Sequence, residues 1–130
     1  MPDNKRVRGR VFSGRGEGEI YINIYARAFE KTLGYRPYPG TLNIRLIDGR
    51  RSRLLGNVKP IIVKPPELPG TRLAEVECYR ARIEDLDNVY IIVPRIKSYY
   101  GDNIIEVIAP INLRRKFNLN DGDIVVLEIL

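Results

Sequence analysis

The sequence predicts a mainly β fold, a small closed barrel carrying two short helices. Three observations carry that expectation. Short apolar runs with a period of two recur along the 130 residues, and Gly, Pro and Asn-Asp turn signals separate them. Only two stretches repeat at helical spacing, and both are short. No internal repeat or composition shift marks a boundary. The chain therefore reads as one domain over 1–130, with 1–5 as a disordered tail and enough length to bury a core.

Val7–Phe12 and Ile20–Ile24 are strand candidates on either side of a glycine-rich segment, Gly14–Gly18. Tyr25–Leu33 reads as a helix, because Tyr25, Phe29 and Leu33 recur at i, i+4 and i+8 and Gly34 is a natural stop. Thr41–Leu46 alternates cleanly, with Leu42, Ile44 and Leu46 on one face and Thr41, Asn43 and Arg45 on the other. Ile47–Gly70 carries Arg50, Arg51 and Arg53, then Pro60, Pro65, Pro66 and Pro69. It reads as an irregular, solvated loop, with a mobile flap as the alternative.

Leu73–Ile83 is a long strand-like run, broken by the polar Glu84–Asn88 before a further strand at Val89–Val93. Ile104–Ile108 follows. Asn112–Asn118 is the second helix: it starts after Pro110 and puts Leu113 and Phe117 on one face. Asn120-Asp121-Gly122-Asp123 is a turn leading into Ile124–Leu130. The total is about seven short strands.

Composition narrows the chemistry. Hydrophobic residues make up 44% and charged residues 29% of the chain, as in globular proteins. No apolar run approaches the ~20 residues of a membrane span. Met1–Arg6 is polar and lacks an apolar signal region, so a cytoplasmic address is expected. The one cysteine, Cys78, alternates with Ala74 and Val76 and reads as a small core residue. There is no histidine. That removes the commonest general base and every Ser-His or Cys-His pairing. Phosphoryl transfer tolerates the loss, because positioning and charge neutralisation dominate it. A net charge of +6 suits a polyanion, whether nucleotide, phosphorylated metabolite or nucleic acid.

Four constellations carry possible chemistry. Gly14, Gly16 and Gly18 free backbone amides to approach phosphate oxygens, and Arg15 adds charge. No Gly-Lys-Ser/Thr follows, so this is not a Walker loop. Flanking strands argue against a dinucleotide fingerprint, and taken alone the segment reads first as a hairpin connection. Thr41 and Asn43 project to the same side of one strand, where two neutral oxygens suit magnesium completed by phosphate and water. An ordinary polar strand face explains them equally well. Glu106 sits among Ile104, Ile105, Val107 and Ile108, and a half-buried carboxylate needs a partner, either a ligand hydroxyl or an arginine. Ser98, Tyr99 and Tyr100 precede that strand and offer hydroxyls and rings. Finally, Ala109–Arg114 places backbone donors at a short helix start, with Arg114 as a phosphate contact. Arg115 and Lys116 read as solvated.

Together, Ser13–Gly18, Pro37–Asn43, Glu106–Arg114 and Leu119–Asp123 closely resemble the archaeal CTP-dependent riboflavin kinases, in the same order and from about Arg6 to the end. The resemblance implies a six-stranded cradle-loop barrel. It implies transfer of the γ-phosphoryl group of CTP to the 5′-hydroxyl of riboflavin, giving FMN and CDP. It assigns nucleotide binding to Gly14, Arg15, Gly16, Glu17, Gly18, Glu19 and to Ile111, Asn112, Leu113 and Arg114. It assigns Mg2+ to Thr41 and Asn43, and flavin contacts to Ser98 and Glu106, with Glu106 as the catalytic group that orients the accepting hydroxyl. A monomer without membrane partners is expected.

The segment from Pro110 to Leu130 also resembles swapped-hairpin DNA-binding modules of AbrB type. Such modules run to roughly half this length and build their barrel by dimerising, which makes a nucleic-acid partner the lesser expectation.

Overall fold

The computed structural model describes residues 5–96 and 100–130. Seven strands appear in the order β1 (Lys5–Phe12), β2 (Leu42–Leu46), β3 (Ile61–Val63), β4 (Val76–Ile83), β5 (Leu86–Pro94), β6 (Ile104–Ile108) and β7 (Ile124–Ile129). Three helices accompany them: α1 (Gly18–Leu33), α2 (Arg51–Leu55) and α3 (Leu113–Lys116).

The sheet runs β3-β4-β5-β6-β2-β1-β7, and β7 pairs back onto β4. Six antiparallel strands thus close into a barrel within one chain, and β3 adds to its outside. β4 makes this possible by dividing one edge: Val76, Glu77 and Cys78 pair with β3, while Ala81, Arg82 and Ile83 pair with β7.

Strand alternation builds two cores. Inward residues such as Val11, Ile44, Ile91, Ile105 and Leu127 fill the barrel. The outer wall is covered on one side by α1. Its Ile22, Tyr25 and Phe29 pack on Val63, Val76, Cys78, Tyr90, Ile92 and Ile108. This second core explains why β5 reads as the continuous apolar run Val89–Ile92: its two faces meet different cores. It also accounts for Cys78, which is 1% exposed. Burial pushes its thiol up to about 12, so it is an inert core residue.

Several expectations need correction. Ile20–Ile24 is not a strand; it is the first part of α1, a helix of 16 residues. The Ile20, Ile22, Ile24 alternation is misleading, because Ile20 is 64% and Ile24 42% exposed while Ile22 is buried. The true period runs Ile22, Tyr25, Phe29. The glycine segment is therefore not a hairpin connection: a strand and a long helix flank it. Gly34 ends α1 as expected, with φ 89° and its amide bonded to the Glu30 carbonyl.

The stretch from 47 to 70 is not wholly irregular, since it contains α2 and β3. Asp102 anchors α2. Its carbonyl accepts from the Arg51 amide at 2.7 Å, and its carboxylate accepts from the Ser52 amide at 3.0 Å and from the Ser52 hydroxyl. The expected tail 1–5 overlaps β1 at Lys5, which pairs with Ile129; residues 1–4 lie outside the described residues. No helix among the described residues is long and apolar enough to cross a membrane.

Candidate active site

A cleft of about 450 Å³ opens on the outer wall of the barrel beside the start of α1. Asn43 and Glu106 on its floor belong to a row of cross-strand neighbours. Phe12 of β1 pairs with Asn43 of β2, Asn43 pairs with Glu106 of β6, and Glu106 pairs with Ile92 of β5. Directly opposed residues of an antiparallel ladder share a face with Cβ atoms about 5 Å apart. The alternation of β2 and β6 thus puts an amide and a carboxylate side by side, facing outward.

Ser13 to Glu19 form the roof, with Thr41 beside Asn43 on the floor. The roof sits close because it is glycine. A Cβ at Gly14 would lie 2.5 Å from the Asn43 Nδ2, and one at Gly18 would lie 2.8 Å from the Thr41 Oγ1. Two of the three glycines thus press against the two residues expected to hold magnesium. Gly16 has φ +79° with open space around it, so its requirement is conformational. The loop feeds directly into α1, whose first turn, with Gly18 and Glu19, lines the cleft. The positive end of a 16-residue helix therefore joins the glycine amides.

Burial and charge tune the floor. The Asn43 Oδ1 is buried without a hydrogen-bond partner, although buried polar atoms are normally paired. Burial raises the Glu106 carboxyl above its usual range; Arg51 opposes the shift and Glu17 adds to it. Among the described residues no group of three or more His, Cys, Asp or Glu could hold a metal. Thr41 and Asn43 instead present neutral oxygens, which suit a hard cation whose remaining ligands are phosphate and water.

A second, smaller cavity of about 160 Å³ adjoins the cleft through Gly40, Thr41 and Arg114. Tyr38, Leu42, Val107, Ala109, Ile111, Asn112 and Leu113 complete it. All four residues expected from the Ile111–Arg114 segment therefore gather here. α3 is only four residues long, and the Asn112 side chain already caps it, accepting from the Arg115 amide at 3.2 Å. The Asn112 Nδ2 donates to the Tyr38 hydroxyl at 3.1 Å, fixing one wall of the cavity.

Arg114 pairs with Asp121 at 2.8 Å, and the Ser13 hydroxyl donates to the same carboxylate. The Asn-Asp-Gly-Asp turn thus ties the start of the glycine loop to the arginine shared by both cavities. Ser98 lies outside the described residues.

Sequence reading missed Ser13, Tyr21, Pro94, Ile96 and Asp121 as parts of the cleft or its supports. Tyr21 and Tyr25 stack at 4.6 Å, a spacing of four that signals a helix. Asp121 was visible only as a turn former.

A family model for CTP-dependent riboflavin kinases, described as "Domain of unknown function DUF120", matches residues 11–129. A riboflavin kinase of Aeropyrum pernix is 40% identical over 94% of this chain and 93% of its own length. Riboflavin kinases of Pyrobaculum aerophilum and Pyrococcus furiosus are 42% and 39% identical. This chain spans 60% and 58% of their lengths. With its cradle of glycines over Thr41, Asn43 and Glu106, the chain belongs to the CTP-dependent riboflavin kinase family.

Proposed function

We propose that the protein transfers the γ-phosphoryl group of CTP to the 5′-hydroxyl of riboflavin, giving FMN and CDP. The observation that carries this reading is the juxtaposition of Asn43 and Glu106 beneath the glycine loop. One residue faces the phosphates with an unpartnered oxygen. The other is a carboxylate that can receive a hydroxyl.

The triphosphate runs along Gly14–Glu19, taking hydrogen bonds from loop amides and charge from Arg15 and the α1 terminus. The cytosine lies in the smaller cavity against Ile111, Asn112 and Leu113, and Arg114 spans the passage between base and phosphates. Thr41 and Asn43 would hold Mg2+, which would neutralise phosphate charge. Riboflavin enters from the side of Pro94, Ile96 and Tyr100.

The 5′-hydroxyl donates to Glu106, which orients its oxygen toward the γ-phosphorus. A new O–P bond forms as the bond to the β,γ-bridging oxygen breaks. The hydroxyl proton passes to the Glu106 carboxylate late in the transfer and then to water, while CDP leaves. The loose transition state demands little of the base, which fits a chain without histidine.

Purified protein incubated with riboflavin, magnesium and each nucleoside triphosphate tests the reading. FMN is expected, with CTP preferred. No FMN with any triphosphate would overturn the kinase reading, and preference for ATP would overturn the placement of cytosine.

A further inference from the structure

We propose that Tyr21 is the second half of a clamp on the accepting hydroxyl, donating a hydrogen bond to the oxygen whose proton is directed at Glu106. The inference rests on the riboflavin kinase reading and deepens it. A hydroxyl is recognised fully only when it meets one acceptor and one donor. Glu106 supplies an acceptor alone.

Tyr21 lines the same cleft as Glu106, Thr41 and Asn43, and its hydroxyl oxygen is buried without a hydrogen-bond partner. A buried, unpaired hydroxyl is costly. The only other orphaned oxygen lining the cleft, among the described residues, is the Asn43 Oδ1.

The ring cannot easily turn away to solvent. It stacks on Tyr25 at 4.6 Å with 24° between planes, and the Tyr25 hydroxyl is itself committed to the Ala74 carbonyl at 2.6 Å. The Tyr25 hydroxyl is close enough to interact with that of Tyr21, but the pair falls short of full hydrogen-bond geometry. Burial, then the neighbouring Tyr25, and more weakly Glu106, hold the Tyr21 hydroxyl far above its ordinary titration range. It is thus a neutral donor across the working range and does not compete with Glu106 for the proton. Tyr21 is a positioning and specificity group for the acceptor; no bond is made or broken on it.

The test measures binding of riboflavin and of 5′-deoxyriboflavin to wild type and to Tyr21→Phe. The variant should bind riboflavin about tenfold more weakly, with the CTP affinity unchanged and Tm equal or higher, since an unpaired hydroxyl has gone. Loss of the 5′-hydroxyl should cost wild type about ten times more affinity than it costs the variant. Unchanged riboflavin affinity in Tyr21→Phe would overturn the proposal, as would an equal loss for both flavins or a parallel loss for CTP. A wild-type protein that binds neither flavin would overturn the riboflavin reading and this proposal with it.

Discussion

At the scale of single residues, the cleft trades stability for chemistry. Glu106 faces outward on β6 into the cleft and is half-buried there, and that burial raises its pKa above the ordinary 4.5. The sign follows directly. Below the unfolded value both states are protonated and the group costs nothing. As pH rises, the unfolded chain releases its proton first, so stability falls until the folded pKa is passed and is level thereafter. Glu106→Gln removes that decline. The variant should melt above wild type at pH 7, and the gap should close toward pH 4. Its turnover should fall by about a hundredfold or more. Thermal melts across pH, paired with FMN formation, check both halves. Asn43→Ala deletes a group whose Oδ1 has no partner in the fold. Folding should survive with little change in Tm, while turnover collapses and added magnesium no longer shifts the melt.

At the scale of elements, the glycines separate structural from functional demands. Gly9 lies on the inward face of β1, between the core residues Val7 and Val11. A Cβ there would lie 2.2 Å from the Ile44 Cγ2 and 2.9 Å from the Arg45 carbonyl oxygen. β1 and β2 can approach this closely only because Gly9 has no side chain. Gly9→Ala should lower stability by about 2 kcal/mol through overpacking, whereas Gly16→Ala should leave the fold intact and weaken CTP binding. Denaturant melts and nucleotide titrations separate the two. These elements also mark how far the sequence could be read. β2 and β6 were legible, because Leu42, Ile44 and Leu46 alternate strictly and Glu106 breaks an apolar run. The start of α1 was not, because Ile20 and Ile24 are apolar yet exposed, which mimics a strand. β3 has three residues and exists only because the upper half of the β4 edge is left open by β7, a tertiary fact with no local signal. The metal pair and the glycine loop were legible as residues. Their contact was not, because it depends on the β1–β2 pairing and on a loop turning into a helix.

At the scale of the whole molecule, the barrel must close between its last strand and β4, and charge guards that seam. Glu128 on β7 is paired in register with Arg6 of β1 on one side and Arg82 of β4 on the other. Its two carboxylate oxygens accept from Arg6 at 3.0 Å and Arg82 at 3.1 Å. The Glu128 side chain is only 12% exposed, while Arg6 is 67% and Arg82 43% exposed. The carboxylate is thus sheltered and its cations are wet. Solvent screening of the arginines limits each pair to a modest contribution. Removing the shared acid costs more than either pair alone, because two arginines then flank an uncharged residue in a chain of net charge +6. Glu128→Gln should lower stability by about 1 kcal/mol at low ionic strength, a few degrees in Tm. The deficit should shrink as salt screens the remaining repulsion. The seam lies away from the row Phe12, Asn43, Glu106, Ile92, so FMN formation well below the melt should be unchanged. A loss of turnover in folded Glu128→Gln would show that closure of the barrel and shape of the cleft are coupled rather than separate, and a deficit that grows with salt would show that arginine repulsion is not its cause.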